Sequence, residues 1–163
     1  MKITMSNKIR WGIIGCGVIS RTHCEGILMS DCAELVAVCD IVKEKAEAKA
    51  SLYNVKKVYF DYHELLNDDE IDAVSICTPS GLHGEMCIAA AKAKKHILCE
   101  KPIEITRDKI DAVENAVREN GVTMACVFQM RYSEPFRIAK KAIEDGEFGK
   151  PILASAYLKF FRS

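Results

Sequence analysis

Short apolar runs alternate with longer amphipathic segments along most of this chain. Six runs are apolar over nearly their whole length, and they cover residues 9–15, 34–40, 57–60, 72–79, 96–102 and 122–128. Continuous apolar runs are typical of parallel strands that are buried on both faces. Between and after them, helices are predicted over residues 18–29, 42–53, 61–68, 83–94, 107–120 and 134–145. This alternation predicts an α/β fold with a doubly wound parallel sheet, the Rossmann fold.

Residues with known preferences for helix ends support these boundaries. Asp61, Thr106 and Ser133 stand at predicted N-cap positions, where a side-chain oxygen can accept a hydrogen bond from the first turn. Gly121 and Gly146 directly follow two predicted helices, as glycines after helix ends commonly do.

The last segment departs from the alternation. Residues 151–161 are strand-like, and five small or apolar side chains fall on one face: Ile152, Ala154, Ala156, Leu158 and Phe160. We therefore expect the start of a second, truncated α/β domain, whose exposed strand invites pairing with another chain. The predicted division is 1–126 for the dinucleotide-binding domain, 127–150 for a connecting loop and helix, and 151–163 for the first strand of a substrate domain.

Composition and charge exclude some classes of protein. Hydrophobic residues make up 49% of the 163 positions and charged residues 28%, as in a globular protein. Basic and acidic residues both number 23, so the formal net charge of zero gives no support for nucleic-acid or membrane binding. The chain has neither an apolar run long enough for a membrane span nor a signal-peptide core, which predicts a cytoplasmic location.

Eight cysteines are present, but their spacing does not indicate a metal site. None forms a C-x-x-C pair, and no cysteine–histidine cluster has zinc-finger spacing. Several lie inside the apolar runs, where a reduced cysteine packs as a small hydrophobic residue. We therefore expect buried free thiols in a reducing compartment, and no bound metal.

The sequence "GIIGCGVIS" places two glycines, Gly15 and Gly17, between the first strand and the first helix. In a dinucleotide-binding turn, the first glycine permits a sharp bend and the second lets a diphosphate approach the backbone. Ser20 stands where a third glycine is usual; it is small, and its hydroxyl could also bind a phosphate. The alternative is a plain strand-to-helix turn, and the turn alone does not decide between the two.

Asp40 ends the second strand 25 residues after Gly15, near the spacing of the ribose-binding acid of dinucleotide sites. A carboxylate there accepts hydrogen bonds from the ribose hydroxyls and repels a 2′-phosphate. Ile41 follows, with no arginine to bind that phosphate, so NAD is favoured over NADP. Aspartate is also a common turn residue at strand ends, but turn and acid together favour dinucleotide binding.

Two later strand ends carry polar residues at the edge of the sheet where ligands of such folds bind. "CTPSGLHGE" follows the fourth strand, and its His83 begins a helix whose dipole favours a neutral imidazole. A solvent-facing histidine is an equal alternative. "CEKP" follows the fifth strand, where Lys101 could act as an acid/base or bind a substrate hydroxyl; a polar loop closed by Pro102 is the alternative.

Four stretches together resemble the glucose–fructose oxidoreductase and inositol dehydrogenase family, often called Gfo/Idh/MocA. They are "GIIGCGVISRTH", "AVCD", "CTPSGLHGEMCIAAAKAKKHILCEKPI" and "QMRYSEPFRIAKKAIEDGEFGKP". The resemblance covers nearly the whole chain, and the E-K-P motif is its most specific element. It implies an NAD(P)-dependent oxidoreductase that transfers a hydride between the coenzyme and a sugar, polyol or nucleotide-sugar hydroxyl.

The same resemblance implies roles for individual residues. Residues implied at the diphosphate and the adenosine ribose are Gly15, Gly17, Val18, Ile19 and Asp40. Those implied along the coenzyme toward the nicotinamide are Thr78, Pro79 and His83, and Glu100 and Lys101 belong to the E-K-P site with Lys101 at the reacting centre. Gln129 and Arg131 match a loop near coenzyme or substrate. His83 and Lys101 are the expected catalytic residues. Ser20, together with the residues named in this paragraph, makes up the expected coenzyme site.

The family continues into a second domain that supplies most of the substrate pocket, so we expect this chain to be the coenzyme-binding half, inactive alone and homo-oligomeric when full length. Two rival hypotheses stay open. One is a stand-alone NAD sensor without catalysis, and the other is a different nucleotide binder on the same fold. Lys101 argues against both, since neither needs an E-K-P motif.

Overall fold

The computed structural model describes residues 8–157 and 159. Its strands are β1 Ile9–Ile14, β2 Ala33–Cys39, β3 Lys57–Tyr59, β4 Ala73–Ile76, β5 His96–Cys99 and β6 Met124–Cys126. Its α-helices are α1 Ser20–Leu28, α2 Lys43–Tyr53, α3 Tyr62–Leu66, α4 His83–Lys92, α5 Arg107–Asn120 and α6 Glu134–Glu144. Each predicted element between residues 9 and 145 is therefore confirmed, with shifts of a few residues at its ends. None of the described helices has the length and apolar character needed to cross a membrane.

The predicted helix ends are only partly confirmed. The Asp61 carboxylate accepts a hydrogen bond of 2.8 Å from the His63 amide, so it caps α3 as expected. Thr106 and Ser133 occupy N-cap positions but form no side-chain cap bond. The Ser133 hydroxyl donates a 2.8 Å hydrogen bond to the Met130 carbonyl of the preceding 3₁₀ turn. Gly121 has a φ of +67°, which glycine adopts without strain.

The six strands form one parallel sheet in the order β3-β2-β1-β4-β5-β6. The chain therefore runs outward from β1 to one edge, returns, and runs from β4 to the other edge. This confirms the doubly wound fold, and it leaves a switch point between β1 and β4 where the loops diverge.

Alternate residues of the strands pack into two separate cores. On one face, Ile13 and Val38 pack with Cys24 of α1 and Ala46 of α2. On the other face, Ile14 and Ile76 pack with residues of α3, α4 and α5, among them Leu65, Cys87 and Val113. Because both faces are covered at the central strands, these strands carry no polar–apolar alternation.

The chain divides into two compact units, residues 1–127 and 128–163. The second unit contains the 3₁₀ turn Gln129–Tyr132 and helix α6, which has Lys140–Glu144 and Lys141–Asp145 ion pairs along its surface. The strand expected over residues 151–161 is not formed at residues 151–157, since no strand of the described part pairs with them. Leu158, Phe160 and Phe161 lie outside the described residues.

Candidate functional site

A cleft of about 370 Å³ opens at the switch point between β1 and β4. The residues that line it follow the carboxyl ends of three strands. They are Ile14, Gly15 and Gly17 at the end of β1 and beyond it, Cys39, Asp40, Ile41, Val42 and Lys45 at the end of β2 and beyond it, Cys77, Thr78, Pro79, Leu82 and Met86 after β4, and Tyr62 of α3. Loops from separate strands meet here because parallel strands end at the same edge of the sheet.

Gly15 is required by the path of the backbone. Its φ is +93°, and a Cβ atom at this position would lie 2.8 Å from the Cys77 carbonyl carbon and 2.9 Å from the Thr78 nitrogen. The two loops that enclose the cleft therefore approach each other across a residue without a side chain.

Gly17 has a different surrounding. A Cβ atom there would meet nothing within 4 Å, so the residue faces open space inside the cleft. Within the described residues, the amides of Gly17, Val18 and Ile19 form no hydrogen bond. Helix α1 begins at Ser20, so these amides and the positive end of the helix dipole can bind an anion.

Ser20 does not take the role expected for its hydroxyl. The residue is fully buried, and its hydroxyl donates a 2.6 Å hydrogen bond to the Gly17 carbonyl. It closes the turn from inside and does not line the cleft. We call residues 15–20 the glycine turn.

Asp40 lies in the cleft beside the glycine turn. One carboxylate oxygen accepts a 2.8 Å hydrogen bond from the Cys16 amide, and the other accepts a 2.9 Å bond from the Val42 amide. Each oxygen keeps a second lone pair for a further donor. The carboxylate is thus fixed in place by the backbone and can accept hydrogen bonds from vicinal hydroxyls.

The remaining walls are largely apolar. Ile41 and Val42 follow β2, while Leu82 and Met86 lie beyond β4, a lining suited to the face of a purine base. The Cys39 thiol also lines the cleft, and burial raises its pKa to about 12, so it is a neutral apolar group. Thr78 and Pro79, both expected along a coenzyme, lie in this wall.

The loop after β5, residues 100–105, is called the lysine loop below. Glu100 is buried, and its carboxylate lies 3.0 Å from Nε2 of His23 on α1. Its other oxygen accepts a hydrogen bond of 3.2 Å from the Lys101 amide. Glu100 therefore connects helix α1 to the lysine loop and does not line the cleft. His23 was missed by sequence reasoning, since 77 positions separate the partners.

Lys101 is exposed at the end of β5. Within residues 8–157 and 159, no carboxylate lies within 4.0 Å of its ammonium group. It can therefore bind a ligand atom without first breaking an ion pair. Its expected place at the reacting centre stays a prediction.

His83 is buried, and both of its ring nitrogens face backbone carbonyl groups. The ring is 1% exposed, and its nitrogens lie 2.7 Å from the Pro102 carbonyl oxygen and 2.8 Å from the Thr78 carbonyl oxygen. Both partners only accept hydrogen bonds, so an imidazolium can satisfy both of them, whereas the expected neutral imidazole can satisfy only one. Both ring nitrogens lie at backbone carbonyls and the residue is buried, and the catalytic role expected for His83 stays a prediction.

Glu104 lies at the same helix end as His83. The Glu104 side chain is buried at the start of α4, where its carboxylate accepts a hydrogen bond from the Gly84 amide. Its other oxygen accepts one from the Ile105 amide, and this bond is the main cause of the lowered Glu104 pKa. A carboxylate at this helix end compensates for the dipole and for a cation beside it.

The remaining predicted positions carry less structural information. Val18 and Ile19 lie in the glycine turn with exposed side chains, so they offer amides rather than side-chain contacts. Gln129 and Arg131 lie in the 3₁₀ turn of the second unit, and their expected place near coenzyme or substrate stays a prediction. In the part of the chain that the structure describes, no group of three or more metal-ligating side chains is assembled.

The residues at the cleft fit an NAD molecule. Open space at Gly17, three unpaired amides at a helix N-terminus and an anchored carboxylate provide, in one cleft, the donors for a diphosphate and the acceptor for a ribose. Lys45 and Tyr62 also line this cleft and were missed by sequence reasoning. The position of Lys45 in the first turn of α2, five residues after Asp40, is the signal that could have found it.

Comparison with known proteins gives a family match over most of the chain. Residues 9–128 match the model of the GFO_IDH_MocA family, described as an oxidoreductase family with an NAD-binding Rossmann fold.

Curated relatives include inositol dehydrogenases. The chain is 36% identical over 143 residues to myo-inositol 2-dehydrogenase of Thermotoga maritima, which covers 88% of this chain and 43% of that protein. It is 35% identical over 156 residues to the scyllo-inositol 2-dehydrogenase (NAD(+)) of Bacillus subtilis, covering 95% of this chain and 46% of the relative. The chain thus spans less than half the length of these relatives.

Solved structures give the same result. The WlbA dehydrogenase from Bordetella pertussis, determined in complex with NADH and UDP-GlcNAcA, superposes with a TM-score of 0.84 at 36% identity. The match covers 87% of this chain and 43% of that one. Scyllo-inositol dehydrogenase from Lactobacillus casei, determined with NAD(H) and scyllo-inositol, superposes with a TM-score of 0.82 at 27% identity.

Proposed function

The chain belongs to the Gfo/Idh/MocA oxidoreductase family, and from this premise we propose that it supplies the NAD-binding part of a dehydrogenase acting on a sugar-like alcohol. The observation that carries the proposal is the pairing, in one cleft, of unpartnered amides in the glycine turn with the anchored Asp40 carboxylate. A plain strand-to-helix turn needs neither of these features.

We propose that the amides of Gly17, Val18 and Ile19 donate hydrogen bonds to the coenzyme diphosphate. The Asp40 carboxylate accepts bonds from the adenosine ribose hydroxyls and disfavours a 2′-phosphate at the same place. A hydrogen bond to a charged group contributes about 1.5–3 kcal/mol, so Asp40 is a major source of NAD affinity and of selectivity against NADP.

Lys101 is the residue we propose to handle the substrate proton. When bound, NAD supplies the nicotinamide ring, which takes the hydride from the alcohol carbon. The hydroxyl proton must leave as the carbonyl forms, and the Lys101 side chain, exposed at the end of β5 without a carboxylate partner, is available to bind that hydroxyl and exchange its proton.

The substrate class rests on the relatives' names. Inositol dehydrogenases and a dehydrogenase determined with a nucleotide sugar act on or bind ring compounds rich in hydroxyl groups. We propose a sugar, polyol or nucleotide-sugar hydroxyl as the reacting group, with a homo-oligomer as the assembly of the whole protein. All eight cysteines are free in the structure, which supports a reducing, cytoplasmic location.

Calorimetric titration of NADH and NADPH into the chain tests the proposal. Asp40→Ala is expected to weaken NADH binding tenfold or more, which corresponds to about 1.4 kcal/mol. Asp40→Asn, which keeps an acceptor but removes the charge, should also lower the preference for NADH over NADPH.

Asp31→Ala is the matched control, because Asp31 is an exposed acid that precedes β2 whereas Asp40 follows it. The control should bind NADH as the unsubstituted chain does. An unchanged NADH affinity in Asp40→Ala would remove Asp40 from the site, and no binding of either coenzyme to the unsubstituted chain would overturn the proposed function.

A further inference from the structure

His83 lies between the two loops that follow β4 and β5. We propose that His83 is a positioning residue: as a buried imidazolium it holds the Thr78 and Pro102 carbonyls, and so fixes the lysine loop against the edge of the cleft. This role rests on the proposed function, because the position of the lysine loop affects catalysis only if Lys101 binds the substrate hydroxyl. The charge state itself stands on geometry alone.

The geometry requires two donors on one ring. Both contacts, 2.7 Å to the Pro102 oxygen and 2.8 Å to the Thr78 oxygen, fall within hydrogen-bond distance. A neutral ring would set one nitrogen lone pair against a carbonyl lone pair in a site that water does not reach. Leaving a buried acceptor in that situation costs about 1–3 kcal/mol, so the protonated ring is the stable form.

Glu104 places a carboxylate on the Gly84 amide, one residue from His83. Its carboxylate is fixed at the start of α4 by the Gly84 and Ile105 amides, and its negative charge is supported by Lys109 at 3.9 Å. Gly84 permits this approach, since a Cβ atom there would lie 2.6 Å from a Glu104 carboxylate oxygen. A buried cation next to a buried carboxylate is far less costly than an isolated cation.

Two cysteine thiols also lie near the His83 ring. Cys99 of β5 contacts the ring, and Cys87 of α4 contacts Cys99. The Cys87 thiol and burial raise the pKa of Cys99 above its ordinary value, so Cys99 is a neutral neighbour rather than a counter-ion. The Cys99 contact and the Pro102 and Thr78 carbonyls, against the effect of burial, raise the pKa of His83 to about 9.

The contact between His83 and the Pro102 carbonyl helps to fix the position of the Lys101 main chain. Residue 100, before the lysine, is held through the Glu100–His23 contact, and residue 102, after it, is held through the His83–Pro102 bond. The Lys101 main chain therefore lies between two fixed points. Thr78, which lines the cleft, is held by the same ring.

The protonation state of His83 is measurable in the unsubstituted chain. Four histidines are present, so long-range ¹H–¹⁵N correlation spectra of the labelled imidazoles are simple, and loss of one signal in His83→Gln gives the assignment. At pH 7.5 we expect both His83 nitrogens to be protonated, with the transition to the neutral ring near pH 9. A neutral His83 ring at pH 7.5 would overturn the proposal.

Stability against pH gives a second measurement. Because the folded pKa of about 9 exceeds the ordinary value of 6.5, the stabilisation by His83 is complete below pH 6.5 and is lost as pH rises through 9. The difference in melting temperature between the unsubstituted chain and His83→Gln should shrink over that interval. A difference that is constant from pH 6 to pH 10 would contradict the proposal.

NADH titration then tests the positioning role. His83→Gln should bind NADH at least fivefold more weakly, whereas His96→Gln, a histidine at the opposite end of β5, should bind it normally. If NADH does not bind the unsubstituted chain, the proposed function fails while the imidazolium signal still stands. If NADH binds equally well to both variants, the positioning role fails and the proposed function stands. If His83→Gln does not fold, single substitutions of the other three histidines assign the His83 signal by elimination, and the spectra of the unsubstituted chain still decide the charge state.

Discussion

The glycine turn and the lysine loop lie at the same edge of the sheet, yet they are built in different ways. The glycine turn takes its shape from backbone geometry close in sequence: the positive φ of Gly15 and the Ser20–Gly17 hydrogen bond. The lysine loop takes its shape from buried side chains far away in sequence, chiefly His23 and His83. A site residue can therefore be specified locally or held in place from a distance.

This difference predicts different responses to substitution. A change in the glycine turn acts on the backbone itself, so its effect depends on whether a Cβ atom has room. A change around the lysine loop removes the hydrogen-bond partner of a buried polar group. Its effect on stability therefore depends on whether that group finds another partner.

Gly15→Ala should have the largest effect. The new Cβ atom meets the backbone of residues 77 and 78 at under 3 Å, and the residue must keep a φ of +93°. Strained backbone and overpacking each cost about 1–3 kcal/mol, so we expect a loss of about 2–6 kcal/mol in the free energy of unfolding, measured by urea denaturation. A loss below 1 kcal/mol would show that the two loops can separate without cost.

Glu100→Ala should have the next largest effect on stability. It leaves the buried His23 ring without its partner, which costs about 1–3 kcal/mol. Glu34→Ala, an exposed acid on β2, is the control and should change the free energy of unfolding by less than about 0.5 kcal/mol. Equal effects of the two substitutions would show that the His23–Glu100 contact contributes nothing to the loop.

Gly17→Ala should separate binding from folding within the glycine turn. No atom lies within 4 Å of its added Cβ, so the melting temperature should stay within about 2 °C of the unsubstituted chain. The methyl group would occupy the space open to a diphosphate, and NADH affinity should fall about tenfold, or about 1.4 kcal/mol. Unchanged affinity would place the diphosphate elsewhere.

The locally specified features could be predicted from sequence. The continuous apolar runs and intervening helices gave the doubly wound sheet, because strand burial on both faces leaves a direct mark on composition. Gly15, Gly17 and Asp40 were recognisable as parts of one cleft because strand ends converge at one edge. The family resemblance, confirmed by the match over residues 9–128, rests on these stretches together with the loops after β4 and β5, which include the E-K-P motif.

The features that depend on distant contacts could not be predicted in this way. The proposed charge of His83 depends on two carbonyl acceptors in separate loops, of which that of Pro102 is 19 positions away. The sequence allows the Ser20 hydroxyl to donate to a phosphate or within its own turn. The packed turn shows that it donates to the Gly17 carbonyl. Of the strand expected over residues 151–161, the described residues 151–157 are not in a strand, and alternation predicts a strand face but does not supply a partner strand.

A crystal structure of this chain grown with NADH tests the central claim most directly. The account predicts the diphosphate against the amides of residues 17–19 and the adenosine ribose within hydrogen-bond distance of the Asp40 carboxylate. Coenzyme bound at another place, or the ribose turned away from Asp40, would contradict it.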